Sequence, residues 1–265
     1  MALGAAAGLA LFLGVPSCAH FPAGKRVNIG GYRLRIHCAG QGEPTVVMDS
    51  GLGETLETWS EVWPQVQDLT RICVYDRAGL GHSDPGPTPR TSQRIVDELH
   101  ALLTSARIEG PYILVGHSFG GLNVRLFASE HPQETVGLVL VDATHEDYPS
   151  KEKALRPIEE KRRIETMFRL APPAAQSEFQ SLPESVSEVR AAAPPPDVPV
   201  VVITAGRHDE AEQLRAAWME LQSDLVRRMP RARQIMADSS SHYVQFDDPA
   251  VIVDAIRELV EKARQ

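Results

Sequence analysis

The sequence predicts an α/β fold, with a mostly parallel sheet of eight strands covered by helices on both faces. Three observations carry that expectation. Short β-branched and aliphatic runs alternate with amphipathic helical stretches along most of the chain. Those runs are apolar at nearly every position, as strands buried on both faces must be. A chain of 265 residues, 43% hydrophobic and 23% charged, suits one large domain that buries about three quarters of its unfolded surface. The same composition excludes disorder, fibrous repeats and a multi-span membrane protein. A net charge of −8, with no Lys/Arg cluster interleaved with aromatics, argues against nucleic acid as the partner.

Taken in order, Ala2 to Val15 is apolar and uncharged, but shorter than the about 20 residues a spanning helix needs. Small residues follow at Ser17, Cys18 and Ala19. Residues 1–19 therefore read as a secretory signal with its cleavage region, although without the positively charged start of such signals. Val15-Pro16-Ser17-Cys18 is similar to a bacterial lipoprotein box, apart from Pro16, and Cys18 would then carry the lipid. The expectation is an exported protein, periplasmic, secreted or lipid-anchored, that meets a membrane only through that anchor. Were the segment no signal, the protein would be cytoplasmic.

Val27 to Ile29 and Tyr32 to Cys38 read as a hairpin about Gly30-Gly31. Thr45 to Met48, Ile72 to Tyr75, Tyr112 to Val115, Gly137 to Val141, Val200 to Thr204 and Gln234 to Ala237 complete the eight strands. Ser92 is the expected cap of a helix with Ile95, Leu99, Leu102 and Leu103 on one face, stopped by Gly110-Pro111. Asp248-Pro249 opens a last helix with Ile252, Ala255, Ile256 and Leu259 on one face. Residues 149–196 lack a strand signal and hold a charged helical stretch (Leu155, Ile158, Ile164, Phe168) among prolines. Loops after the strands surround the ligand site of such a sheet, so this insertion is placed as a helical cap on a core of residues 25–148 and 197–265.

Gly116-His117-Ser118-Phe119-Gly120 matches G-x-S-x-G. It follows an apolar strand and precedes a helix carrying Leu122, Leu126 and Phe127, the strand–turn–helix setting of a nucleophile elbow. The glycines let strand and helix approach around a strained serine. Serine is a weak nucleophile and needs an imidazole to take its proton, which in turn needs a carboxylate to fix its tautomer. His242 is the candidate base, before the last helix. Two aspartates compete as the acid: Asp142 directly after the sixth strand and Asp209 after the seventh. Asp209 opens an acidic helix turn that a capping role explains, so Asp142 is preferred. No metal-ligand spacing links the histidines. Apart from Cys18, the cysteines are Cys38 and Cys73, a disulfide in an oxidising compartment or two buried thiols otherwise.

With Asp49-Ser50-Gly51-Leu52-Gly53, the stretch from Asp76 to Ser83, and Ser241-His242, the chain from Val27 to Val260 resembles the α/β-hydrolase superfamily, in its serine-hydrolase, esterase-like branch. The resemblance implies the order nucleophile, acid, histidine, matched by Ser118, Asp142 (or Asp209) and His242. It implies an oxyanion hole from the backbone N–H groups of Leu52 and Phe119. Ser50-Gly51 stands where the family has His-Gly, keeping the turn but losing the histidine's brace, and Asp76-Arg77 is expected to brace the loops around the site. The family's strand order puts the second strand beside the fourth, which favours a Cys38–Cys73 disulfide. The implied activity is cleavage of a carboxylic ester of a small or medium acyl group, through an acyl-enzyme and without metal or organic cofactor. Met167, Phe168, Leu170 and Phe179 of the cap are candidate acyl-pocket residues. Amide, thioester or carbon–carbon hydrolysis, acyl transfer and perhydrolysis are the alternative chemistries, and a non-catalytic ligand receptor is the alternative class.

Overall fold

The computed structural model describes residues 23–208 and 210–265. Residues 1–22, the expected signal and Cys18 among them, and Asp209 lie outside the described residues. The strands are β1 (Lys25–Asn28), β2 (Arg33–Ala39), β3 (Thr45–Asp49), β4 (Ile72–Tyr75), β5 (Tyr112–His117), β6 (Thr135–Val141), β7 (Val200–Ala205) and β8 (Ala232–Ala237). They form one sheet in the order β1-β2-β4-β3-β5-β6-β7-β8. The β1–β2 and β2–β4 pairs are antiparallel and the rest parallel. Helices are α1 (Trp63–Val66), α2 (Ser92–Ala106), α3 (Gly120–Glu130), α4 (Tyr148–Leu155), α5 (Ile158–Leu170), α6 (Pro173–Ala191), α7 (Glu212–Arg228), α8 (Val244–Asp247) and α9 (Pro249–Ala263).

Side chains alternate across the sheet, so each apolar run feeds two cores. Val47, Leu114, Leu138 and Val202 pack with Leu99 of α2, Phe127 of α3 and Leu225 of α7. Val46, Val115, Val139 and Val201 pack with Ile252, Ile256 and Leu259 of α9 on the other face. The hairpin turns at Gly30 and Gly31, with φ of 111° and 129°, and the Asn28 Oδ1 accepts both of their N–H groups. Cys38 and Cys73 face each other in the β2–β4 register and are joined as a disulfide.

The expected cap of α2 moves by one residue. The Thr91 Oγ1 accepts the Arg94 N–H, while Ser92 is the first helical residue and its hydroxyl donates to Asn123 Oδ1. The helix also ends before Gly110, because Arg107 adopts the left-handed conformation at its C-terminus. Between β6 and β7 the chain forms three helices, α4 to α6. Among the described residues, no helix is long and apolar enough to cross a membrane.

Candidate active site

Ser118 follows β5 and has a φ of 51°, a strained conformation for a residue with a side chain. Close approach explains the flanking glycines: a Cβ on Gly116 would lie 2.6 Å from the Gly120 carbonyl oxygen, and one on Gly120 would lie 2.4 Å from that of Asp49. The turn is tied to the end of β6. Ser118 N–H donates to Val141 O at 3.1 Å, and Ser118 O accepts from Thr144 N–H at 2.9 Å. Those two bonds hold Ser118 beside the residue that follows β6, Asp142.

Asp142 is fully buried, also with positive φ. Its Oδ2 lies 2.6 Å from His242 Nδ1. Its Oδ1 accepts the Trp218 indole N–H at 2.8 Å and the Ala205 N–H at 3.1 Å. Burial opposes ionisation of Asp142, but the hydrogen bond and charge of His242, with His208 and Trp218, outweigh it and hold the carboxyl below its ordinary value. For His242, burial disfavours the cation; the hydrogen bond and charge of Asp142, with Glu54 and Glu210, overcome that and raise its pKa. An ionised Asp142 can only accept, so His242 Nδ1 carries the proton and Nε2 is the nitrogen able to take one. The His242 loop is fixed on both sides. Ser241 donates its N–H and Oγ–H to Asp247 Oδ2 at 2.7 and 2.6 Å, and His242 O accepts from His117 Nε2 at 2.9 Å.

This frame has known relatives. A family model described as alpha/beta hydrolase fold matches residues 44–163. An uncharacterized Bacillus subtilis protein is 27% identical over 220 residues, 83% of this chain and 85% of that protein. A 2-hydroxymuconate semialdehyde hydrolase of a Pseudomonas species is 30% identical over 132 residues, 49% of this chain and 46% of its own. A putative lipase from Acinetobacter baumannii superimposes with a TM-score of 0.71 at 17% identity, covering 91% of this chain and 92% of the lipase. The chain has the α/β-hydrolase fold.

In this fold the loop after β3 is held from behind by Arg77. The guanidinium, 1% exposed, donates to Ser50 O at 2.7 Å and to Gly51 O at 2.6 Å. It also pairs with Asp49 Oδ1 at 2.6 Å and with Glu178 Oε1 at 2.7 Å. Burial works against the cation, but Glu178 and Asp49 push the Arg77 pKa well up. The Arg77 grip thus braces the turn that lacks the family's histidine. The N–H groups of Leu52 and Phe119 donate to no other described residue, whereas their neighbours are committed: Gly51 N–H to Glu54 Oε2 at 2.9 Å and Gly53 N–H to Glu178 Oε2 at 2.8 Å.

Of the cap residues singled out, Phe168 and Phe179 stack at 4.2 Å and cluster with Met167, Leu80 and Leu52. Leu170 is 81% exposed and outside that cluster, because it ends α5 on the solvent side. Phe168 and Phe179 also line a cavity of about 530 Å³ between α5 and α6, with Arg162, Glu165 and Arg169 among its walls and none of Ser118, Asp142 or His242.

His100, His131 and Glu134 are the candidate metal ligands that the described residues bring together. The two imidazoles stack in parallel at 4.0 Å and 5°. Ring lone pairs lie in the ring plane, so these two cannot converge on one ion as they stand.

Three residues of the site gave no motif signal. Trp218 sits on the mostly polar α7. Glu54 lies further along the loop after β3; burial disfavours its carboxylate, but the charge and hydrogen bond of His117, together with His242, lower its pKa. Glu178 lies on α6, three and four residues after Ala175 and Ala174, and nothing in that helix's own pattern marks it.

Proposed function

We propose that this protein is a serine hydrolase that cleaves a carboxylic ester of a small or medium acyl group. The observation that carries the reading is the 2.6 Å contact of His242 Nδ1 with Asp142 Oδ2, at the strand end to which the Ser118 turn is bonded. In this reading His242 Nε2 takes the Ser118 Oγ proton as Oγ attacks the ester carbonyl. The tetrahedral oxyanion is met by the N–H groups of Leu52 and Phe119. Collapse expels the alcohol, which leaves with the His242 proton, and an acyl-Ser118 remains. Water, deprotonated by His242, then attacks the acyl carbon and releases the acid and free Ser118. Every proton is returned, and the cycle needs no cofactor.

Leu52, Phe168 and Phe179 supply apolar surface for an acyl chain, which favours a small-molecule substrate. A second reading, hydrolysis of a carbon–carbon bond, draws on the likeness to the 2-hydroxymuconate semialdehyde hydrolase. A panel of 4-nitrophenyl esters of graded acyl length, with an anilide and a vinylogous 1,5-diketone alongside, separates the two. Ester turnover that peaks at short or medium chains is the expected outcome; turnover of the diketone alone would replace the ester reading. Ligand binding to the wild-type protein without turnover of any of these would favour the receptor.

A further inference from the structure

Helix α6 bears on the loops after β3 and β4 through three residues on one of its faces. A Cβ on Gly79 would lie 2.7 Å from the Ala174 Cβ, and one on Gly53 would lie 2.9 Å from the Ala175 Cβ. One turn further on, fully buried Glu178 uses both oxygens. Its Oε2 accepts the Gly53 N–H at 2.8 Å and the Arg77 Nη2 at 3.0 Å, while Oε1 accepts the Arg77 Nε at 2.7 Å. Arg77 passes the constraint on to the carbonyls of Ser50 and Gly51. Residues 50, 51 and 53 are thereby fixed on either side of Leu52, whose N–H is left over for the substrate.

We propose that Glu178, a residue of the segment between β6 and β7, is a positioning residue that sets the oxyanion loop through Arg77 and the Gly53 N–H, so that the hole is complete only with α6 seated. This rests on the serine-hydrolase reading. A bidentate guanidinium–carboxylate pair fixes orientation as well as distance. A glutamine cannot replace it: one of its two termini is a donor and would face either the Gly53 N–H or the guanidinium. The loss falls on the transition state, because the oxyanion forms only there.

The test compares Glu178→Gln and Arg77→Lys with Glu188→Ala, which removes a different bond from α6 to the core, the one to the Gln93 N–H. Ester kinetics, inhibition by an alkylboronic acid and hydrogen exchange are read on each folded protein. In Glu178→Gln and Arg77→Lys, kcat falls about tenfold or more, KM stays within about twofold, and boronate affinity falls in parallel with kcat/KM. Amide exchange speeds up in residues 50–54 but not in α9. Glu188→Ala shifts the melting temperature without touching kcat. Unchanged kcat and boronate affinity in folded Glu178→Gln would overturn the proposal. If the wild type itself turns over no ester, the function reading fails instead, and the exchange rates of residues 50–54 alone still decide whether Glu178 sets the loop: unchanged exchange rejects it.

Discussion

The Trp218 indole N–H donates to Asp142 Oδ1 at 2.8 Å. It therefore commits one oxygen of the carboxylate to α7 and leaves Oδ2 for His242. The second donor to Oδ1, the Ala205 N–H, comes from β7, so the acid is oriented by two elements other than the one that carries it. Trp218→Phe removes a buried bond to a charged group, costing about 1.5–3 kcal/mol. The protein should melt at lower temperature and retain part of its kcat, since Ala205 still holds the carboxylate. A melting curve and steady-state kinetics on one preparation check this; an unchanged melting temperature would contradict it.

Asp142→Asn carries the same geometry into the reaction. With Oδ1 facing two donors, the asparagine oxygen must occupy that side and its NH₂ must face His242 Nδ1. Nδ1 then has to accept, the ring proton moves to Nε2, and the base is lost. The expected fall in kcat is about 10⁴, as in the serine-protease template. Asp209→Asn should leave kcat within about twofold, because the contact to His242 Nδ1 comes from Asp142. Kinetics of the pair decide, with melting in parallel because Asp142 also satisfies Ala205; the reverse pattern would hand the role to Asp209.

Much of this was legible in the chain because the relevant signals are local. Val200 to Thr204 or Tyr112 to Val115 read as strands since both faces are buried, and Gly116 and Gly120 mark the elbow since no side chain fits there. The choice of Thr91 over Ser92 as cap turns on which hydroxyl faces the helix and which faces Asn123, a tertiary matter. Glu178 and Trp218 are silent in sequence for a deeper reason. Their partners, Arg77 and Asp142, lie 101 and 76 residues away, and nothing in a helix's own periodicity says that a carboxylate or indole will meet a buried charge.

The raised pKa of His242 sets a pH limb. The base acts when neutral, so kcat/KM should fall as pH drops through its pKa, with a midpoint above the ordinary imidazole value of 6.5. In Asp142→Asn the residual activity should show this limb at lower pH, because the carboxylate that stabilises the cation is gone. A pH–rate profile of both proteins tests it, and a wild-type midpoint below 6.5 would count against the pairing.

The Cys38–Cys73 bond links residues 35 apart, and closing a loop of that length in the unfolded chain contributes about 3–4 kcal/mol. Cys38→Ser/Cys73→Ser should unfold at lower denaturant. Mass analysis after alkylation, with and without reduction, should show no labelled thiol at these positions until reductant is added. Free thiols in the oxidised, unfolded protein would refute the bond.

The proposed chemistry turns on Ser118 as a nucleophile activated by His242, which Asp142 orients. Its most direct measurement is the rate and site of covalent labelling by a fluorophosphonate, mapped by peptide mass spectrometry. One adduct is expected, on Ser118, absent in Ser118→Ala and formed orders of magnitude more slowly in His242→Ala. No adduct on Ser118, or equal labelling of folded wild type and His242→Ala, would contradict it.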